Sequence, residues 1–128
     1  MRLLLDTHVL FWWLKNDPHM SPVARGAISQ DLSEVYVSSA SVWEIAIKVR
    51  SGKWPEAVDI LAAIDSRLES ERFWPLPVTI AHAKRSGEFS SPHRDPFDRL
   101  LAAQADIESL TLVSADRQFA GFPIKTIW

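Results

Sequence analysis

The sequence predicts an α/β fold with three layers, in which helices cover both faces of a central, mainly parallel β-sheet. Short apolar and β-branched segments of strand length alternate with longer segments of helical periodicity, which is typical of βαβ units. Acidic residues follow several of these strands, at the edge where open parallel sheets bind their ligands. The chain of 128 residues has the usual length of one domain, so we expect a single domain over residues 1–128.

The composition is that of an ordinary globular protein and excludes several classes. Hydrophobic residues make up 47% of the chain and charged residues 23%, which argues against a disordered or collagen-like chain. The absence of cysteine excludes disulfides, thiolate catalysis and cysteine-ligated zinc. A formal net charge of −2 gives no overall basic field, so binding of a polyanion would need a local patch or a bound cation.

The apolar stretches of the sequence are too short for a membrane. The run from Val9 to Leu14 falls far short of the roughly 20 residues that a membrane span needs. Asp6 interrupts the N-terminal apolar run too early for a signal peptide. We therefore expect a cytoplasmic protein that does not enter a membrane.

The first two strands each lead directly into a helix. Arg2–Leu5 is a short apolar run that predicts a strand, and the apolar, aromatic segment His8–Lys15 predicts a helix. Val35–Ser38 predicts the second strand because it is rich in β-branched and aromatic residues. Ser41 and Glu44 have the spacing of a capping box, which predicts a helix that runs from there to the next glycine.

Proline marks the start of two further helices. Ser21 can cap a helix whose first position suits Pro22, and we predict that this helix runs to about Asp31. Pro55 opens a long amphipathic segment, for which we predict one helix with one buried face. Its apolar residues recur at steps of three and four, namely at Ile60, Leu61, Ile64 and Leu68.

The last part of the chain predicts two more helices and the remaining strands. Phe73–Val78 contains two prolines and can form at most a short or edge strand. A helix over Thr79–Gly87 and a loop precede Asp95, which with Pro96 has the chemistry of a helix start. That helix is predicted to end near Asp106. Two strands follow, at Ser109–Val113 and, on the edge, at Ile124–Trp128.

Four acidic residues can meet at the ligand-binding edge of this sheet. Asp6, Glu44 and Asp116 lie at or just beyond the ends of predicted strands, and Asp98 lies in the first turn of a helix. Carboxylates held together repel one another unless a cation neutralises them. Oxygen ligands suit Mg²⁺ or Mn²⁺, and such a site supports phosphodiester hydrolysis.

Each of these acids also has a local, non-catalytic interpretation. Asp95 is ideally placed as an N-cap, and Asp98, three residues later, can complete a capping box or interact with the helix dipole. Glu44 has the same relation to Ser41, and Asp116 can cap a short turn over residues 117–120. Asp6 follows an apolar strand directly and is hardest to explain as a surface residue.

Four motifs together resemble a known family. They are Leu4–Leu10, Ser41–Lys48, Asp95–Ala105 and Leu112–Asp116. In this order they resemble PIN-domain proteins, specifically the VapC-type toxins of bacterial type II toxin–antitoxin systems. The resemblance covers nearly the whole chain, and four spaced motifs are far more specific than any single acid.

The resemblance implies a three-layer α/β/α PIN-like fold and a magnesium-dependent ribonuclease. By motif, the catalytic acids are Asp6, Glu44, Asp98 and Asp116, with Asp6, Asp98 and Asp116 as metal ligands and Glu44 helping to bind metal or to orient and deprotonate the attacking water. Small hydroxyl residues of the motifs, Thr7 and Ser114, are candidates to orient a carboxylate or a water. Asp95 belongs to an added Asp-Pro turn and is the weakest candidate ligand.

The resemblance also implies partners. A cognate, VapB-like antitoxin would cover the acidic groove and bind DNA through its own N-terminal domain, so DNA is contacted only indirectly, and the toxin would form a homodimer. RNA must still enter an acidic cleft, so basic residues beside the motifs are candidate phosphate contacts. They are Lys48, Arg50, Lys53, Arg94, Arg99 and Arg117. We interpret His93 as an exposed loop residue without a catalytic role, and the six tryptophans chiefly as core or interface residues.

Three other functions remain open. An aspartate-nucleophile phosphatase would explain Asp6 after an apolar strand, but such a site needs a second acid where His8 stands. A receiver domain would need its acceptor acid after a middle strand, where Ser38 and Ser39 stand. A non-catalytic, PIN-like module could use the acidic groove to grip a basic partner, and metal-dependent RNA cleavage would separate it from a nuclease.

Overall fold

The structure is a computed structural model that describes all residues, 1–128. Five parallel strands form the central sheet: β1 at Arg2–Leu5, β2 at Glu34–Ser38, β3 at Trp74–Leu76, β4 at Thr111–Val113 and β5 at Thr126–Ile127. Seven helices surround it: α1 at Thr7–Leu14, α2 at Pro22–Ser29, α3 at Ser39–Arg50, α4 at Val58–Ala62, α5 at Ile64–Glu71, α6 at Ile80–Glu88 and α7 at Pro96–Glu108. The predicted α/β fold is confirmed.

The order of the strands places β1 at the centre of the sheet. The order is β3-β2-β1-β4-β5, and β1 pairs with β2 on one side and with β4 on the other. Leu3, for example, lies in register with both Val35 and Thr111. The chain builds outward in one direction through β2 and β3 and in the other through β4 and β5. This reversal beside β1 is the switch point at which α/β sheets bind ligands.

Alternate residues of β1 belong to the two apolar layers. Leu3 and Leu5 pack into one hydrophobic cluster with residues of α1, α2 and α3, whereas Leu4 packs into a second cluster with residues of α7. Each of the three leucines is fully buried. A strand that is covered on both faces reads as a continuous apolar run, which is why Arg2–Leu5 was recognisable without alternation.

The start of α3 differs from the predicted capping box. Its N-cap is Ser38, whose Oγ accepts a hydrogen bond from the N–H of Ala40. Ser41 is fully buried inside the helix, where its Oγ accepts a hydrogen bond from Thr7 Oγ1 at 2.9 Å. The prediction of a Ser41–Glu44 capping box is therefore wrong. Glu44 lies in the second turn of α3, and its carboxylate does not cap the helix.

The predicted long helix after Pro55 is broken into three pieces. A 3-10 turn at Pro55–Ala57 leads into α4, and α5 begins after Ala63, whose backbone leaves the helical region. Of the predicted apolar face, Ile60 and Leu68 are buried, whereas Leu61 and Ile64 are partly buried.

None of the helices has the length and apolar character required to span a membrane.

Candidate active site

A cleft of about 350 Å³ opens at the C-terminal edge of the sheet, beside β1. It is lined by the predicted acids Asp6, Glu44, Asp98 and Asp116, together with Asp95, Ala115, His8, Trp12 and Lys48. Four separate elements supply the predicted acids: the end of β1, the second turn of α3, the first turn of α7 and the loop after β4. The structure thus brings all four acids into one cleft.

Asp6 stands at the centre of the cleft. Its backbone N–H continues the sheet by donating to the carbonyl oxygen of Val113, and its side chain is only 8% exposed. Oδ2 accepts a hydrogen bond from Ser114 Oγ at 2.6 Å. Burial raises the pKa of Asp6, and the negative charge of Glu44 raises it further, against the lowering effect of the Ser114 hydrogen bond.

Asp98 lines the same cleft, and its pKa is strongly raised. Burial, as the largest cause, and the nearby charges of Asp95 and Asp6 raise the pKa of Asp98 to about 7, although the contact with His93 opposes this shift. That contact joins His93 Nε2 to Asp98 Oδ2 at 2.7 Å. In the protein alone, therefore, the cleft disfavours the simultaneous ionisation of its carboxylates.

Glu44 is almost completely buried and is paired with a lysine one turn further along α3. Lys48 Nζ donates to Glu44 Oε2 at 2.8 Å and lies 5.6 Å from the centre of the Trp54 ring. The lysine side chain is partly buried and lines the cleft. Lys48 provides positive charge beside the acids, but a single lysine does not balance four carboxylates.

Asp116 combines a structural contact with a place in the cleft. Its Oδ1 accepts a hydrogen bond from the N–H of Gln118 and caps a 3-10 turn at Arg117–Gly121. Its own N–H donates to Ser114 Oγ. Ligand atoms of His93, Asp98 and Asp116 all lie within 4.8 Å of one another. Capping and cleft lining are therefore compatible for this residue.

The two small hydroxyl residues behave differently. Ser114 is buried and bonds the Asp6 carboxylate, as expected for a residue that orients it. The Thr7 hydroxyl instead donates to Ser41 and makes no hydrogen bond to a carboxylate. Thr7 contributes through its backbone, since a hydrogen bond from the Thr7 N–H lowers the pKa of Asp6.

Two loop expectations need correction. His93 was expected to be exposed, but its side chain is only 14% exposed and contacts Asp98. Arg99 is a candidate phosphate contact by sequence, but its guanidinium donates to four backbone carbonyl oxygens, one near the end of α6 and three in the loop before α7. The other candidate phosphate contacts remain near the motifs, with Arg50, Lys53, Arg94 and Arg117 exposed and Lys48 paired with Glu44.

The donor set of the cleft fits a hard divalent cation. All four predicted acids offer carboxylate oxygens, the ligands that Mg²⁺ and Mn²⁺ prefer. Two of these carboxylates, those of Asp6 and Glu44, are buried, and the pKa values of Asp6 and Asp98 are raised. A bound cation would remove this repulsion, because it neutralises carboxylates that the fold holds together.

The fold and the cleft define a class of α/β proteins that carry a carboxylate site at the switch point of a parallel sheet. The family model of the PIN domain matches residues 3–125. The chain belongs to the PIN domain family, and the resemblance recognised in the four motifs is confirmed.

Known proteins similar to this chain point in the same direction. The ribonuclease VapC22 of Mycobacterium tuberculosis, strain ATCC 25618 / H37Rv, is 29% identical over 116 residues, which cover 91% of this chain and 88% of the relative. Among solved structures, VapBC2 from Rickettsia felis, bound to a promoter DNA fragment, has a TM-score of 0.75 at 18% identity and covers 99% and 98% of the two chains. VapC20 of Mycobacterium tuberculosis, a toxin that cleaves the sarcin–ricin loop, has a TM-score of 0.60 at 18% identity and covers 94% and 95%. These structural likenesses support the fold.

Proposed function

We propose that this protein, as a single PIN domain over residues 1–128, is an endoribonuclease toxin of a type II toxin–antitoxin system. It hydrolyses RNA phosphodiester bonds with the help of Mg²⁺, or of Mn²⁺. The observation that carries the proposal is the convergence of Asp6, Glu44, Asp98 and Asp116, from four separate elements, in one cleft. The 29% identity to a named ribonuclease over 91% of the chain supports the same activity.

Three of the acids are assigned to the cation. Asp6, Asp98 and Asp116 would hold it, and Asp95 would support Asp98 from the N-cap of α7. A bound divalent cation would neutralise the charge of the phosphate. It would also lower the pKa of water, so that water can be deprotonated near neutral pH. Ser114 fixes one oxygen of Asp6 at 2.6 Å, which restricts the orientation of that carboxylate.

Glu44 is assigned to the attacking water. Its carboxylate is buried next to the other acids, where it can accept a hydrogen bond from a water and take up its proton. The contact with Lys48 places a positive charge beside this carboxylate and restricts its orientation. Substitution of Lys48 would then affect both RNA binding and the orientation of the Glu44 carboxylate.

RNA binding is assigned to the basic residues around the cleft. Arg50, Lys53, Arg94 and Arg117 are exposed, and Lys48 reaches into the cleft itself. Contacts from these residues to phosphate oxygens would fix the register of the strand without reading its sequence. Binding should therefore weaken as the salt concentration rises.

The partners follow from the relatives. A VapB-like antitoxin neutralises the protein by covering the acidic cleft, and any contact with DNA is made through that antitoxin. The R. felis relative was solved as a VapBC2 assembly with promoter DNA, which supports this arrangement. We further propose that the protein works in the cytoplasm as a homodimer.

Cleavage of RNA by the purified protein tests the proposed activity. We expect cleavage of structured RNA with Mg²⁺ or Mn²⁺, none with chelator, and none with Asp98→Asn. Asp95→Asn is the matched control, because it removes a charge from the same cleft but keeps the N-cap. Wild-type protein that is folded and binds metal, yet leaves every RNA intact, would favour the non-catalytic module.

A further inference from the structure

The loop between α6 and α7 holds His93 in one orientation. The N–H of His93 donates to Ser91 Oγ at 3.2 Å, and its carbonyl oxygen accepts from Arg99 Nη1 at 2.8 Å. The imidazole ring lies edge-on to Phe119 and Phe122, with ring centres 6.3 and 6.1 Å away. Contacts to both the backbone and the ring therefore restrict the direction in which the imidazole points.

Arg99 clamps the whole loop. Its Nε donates to the carbonyl oxygen of Ser86 at 2.8 Å, and its Nη1 and Nη2 donate to those of Ser91 and Phe89 at 2.9 and 2.7 Å. A guanidinium group suits this task because its planar donors can serve several carbonyls at once. Since Arg99 follows Asp98 directly, one turn of α7 fixes both the carboxylate and the loop that faces it.

The imidazole is the only side chain that hydrogen-bonds the carboxylate of Asp98. Nε2 lies 2.7 Å from Oδ2, and the two side chains are 14% and 16% exposed. With Asp98 ionised, Nε2 carries the proton and donates it, because a carboxylate can only accept. Oδ1 of Asp98 makes no hydrogen bond and remains available to a cation.

We propose that His93 is a positioning residue that, fixed by Arg99, holds the Asp98 carboxylate ready to bind the divalent cation. This inference rests on the proposed function. Hydrogen-bond partners of metal-ligating carboxylates commonly change metal affinity or activity by about 10- to 100-fold when they are removed. His93 acts through Asp98, so its removal weakens the cation site without removing a ligand.

The experiment measures Mn²⁺ binding by titration calorimetry. It distinguishes hydrogen-bond donation from His93 to Asp98 from direct binding of the cation by the His93 imidazole. His93→Leu keeps the bulk of the side chain but has no donor, whereas His93→Gln places an amide N–H the same number of bonds from Cα. We expect His93→Leu to raise the Mn²⁺ dissociation constant about 10- to 100-fold and His93→Gln to restore most of the loss. For His93→Leu, the rate of RNA cleavage relative to wild type should be higher at saturating Mn²⁺ than at limiting Mn²⁺.

A second histidine of this chain provides the matched control. His19 Nδ1 lies 2.6 Å from Asp17 Oδ1, in an exposed pair that does not line the cleft. His19→Leu should leave the Mn²⁺ dissociation constant unchanged. Circular dichroism and melting curves would establish that each variant is folded before binding is compared.

The outcomes distinguish this inference from the proposed function. Mn²⁺ affinity unchanged in His93→Leu would overturn the positioning role, and His93→Gln as defective as His93→Leu would replace it with direct ligation by the imidazole nitrogen. Wild-type protein that binds Mn²⁺ with the expected His93 dependence but cleaves no RNA would overturn the nuclease and keep the positioning role. Wild-type protein that binds no Mn²⁺ would overturn both.

Discussion

Ser114 Oγ donates a hydrogen bond to Asp6 Oδ2 at 2.6 Å and joins residues that lie 108 positions apart in the chain. The same oxygen accepts a hydrogen bond from the N–H of Asp116. One serine therefore connects the end of β1 with the loop after β4. Because both Asp6 and Asp116 line the cleft, this hydroxyl sets their relative position.

Ser114→Ala should reduce both stability and cleavage. The buried Asp6 carboxylate would lose a donor, and hydrogen bonds to charged groups contribute about 1.5–3 kcal/mol. We expect a loss of that size in the free energy of unfolding of the metal-free protein at neutral pH, measured by urea titration. Ser66→Ala is the control, because Ser66 is exposed and bonds only the carbonyl of Ala63. Equal losses in the two variants would contradict this role of Ser114.

The metal-free protein should become less stable as the pH rises from about 4 to about 7. The pKa of Asp98 is raised from an ordinary 3.8 to about 7 in the folded state. Between these values the folded protein binds more protons than the unfolded chain, so the free energy of unfolding falls with increasing pH. Burial also raises the pKa of Asp6, which acts in the same direction.

Melting curves check this pH dependence. Wild-type Tm should fall between about pH 5 and pH 7.5, and Asp98→Asn should flatten the dependence because it removes the titrating carboxyl. Saturating Mg²⁺ or Mn²⁺ should raise Tm most at the higher pH, where the ligands are deprotonated. Wild-type and Asp98→Asn curves with the same pH dependence would argue against a strongly raised pKa.

Asp95 stabilises the protein by capping α7 and destabilises it by placing a negative charge beside Asp98. Different substitutions can separate these two effects. Its Oδ1 caps α7 by accepting from the Asp98 N–H at 3.0 Å, and its charge raises the pKa of Asp98. Asp95→Ala loses the cap, with an expected cost of about 1 kcal/mol. Both substitutions remove the charge, but only Asp95→Asn keeps the cap, so in the metal-free protein at neutral pH we expect Asn to be more stable than both wild type and Ala. Denaturant titration would reveal any other order.

Arg99→Lys should loosen the loop before α7. Lysine cannot reproduce a planar fork that serves four carbonyls, and we expect a loss of about 2–3 kcal/mol in the free energy of unfolding. Amide hydrogen exchange should accelerate over residues 89–94. Arg94→Lys, at an exposed position in the same loop, should change neither quantity. Unchanged exchange in Arg99→Lys would mean that the phenylalanine contacts alone hold the loop.

Local sequence patterns predict the start of a helix correctly where no contact from a distant part of the chain competes with them. The caps of α2 and α7 depend on a capping side chain followed by proline, and both Ser21 and Asp95 cap as expected. The start of α3 differs from the prediction because Ser38 is the N-cap, and Ser41 lies inside the helix, where it accepts a hydrogen bond from Thr7, 34 positions away. No local spacing contains that contact.

The sequence predicts the site best where an acidic residue lies at or just beyond the end of a strand, as Asp6 and Asp116 do. Asp6 and Asp116 follow the ends of β1 and β4, which share one edge of the sheet, whereas Glu44 and Asp98 reach the same cleft from α3 and α7. His93 was missed because its orientation depends on the Arg99 clamp, which a loop sequence does not reveal. Its position five residues before Asp98 was the only available signal.

The central place of β1 determines when activity can arise during folding. The two halves of the sheet are joined by the pairing of β1 with β4. These strands are far apart in the chain, so bringing them together costs conformational entropy before their contacts can stabilise the fold. The β1–β2 pair and the helices that directly follow these two strands hold only Asp6 and Glu44, whereas Asp98 lies on α7 and Asp116 follows β4. A chain in which β1 has not yet paired with β4 therefore has no assembled site, and hydrolysis requires this long-range contact.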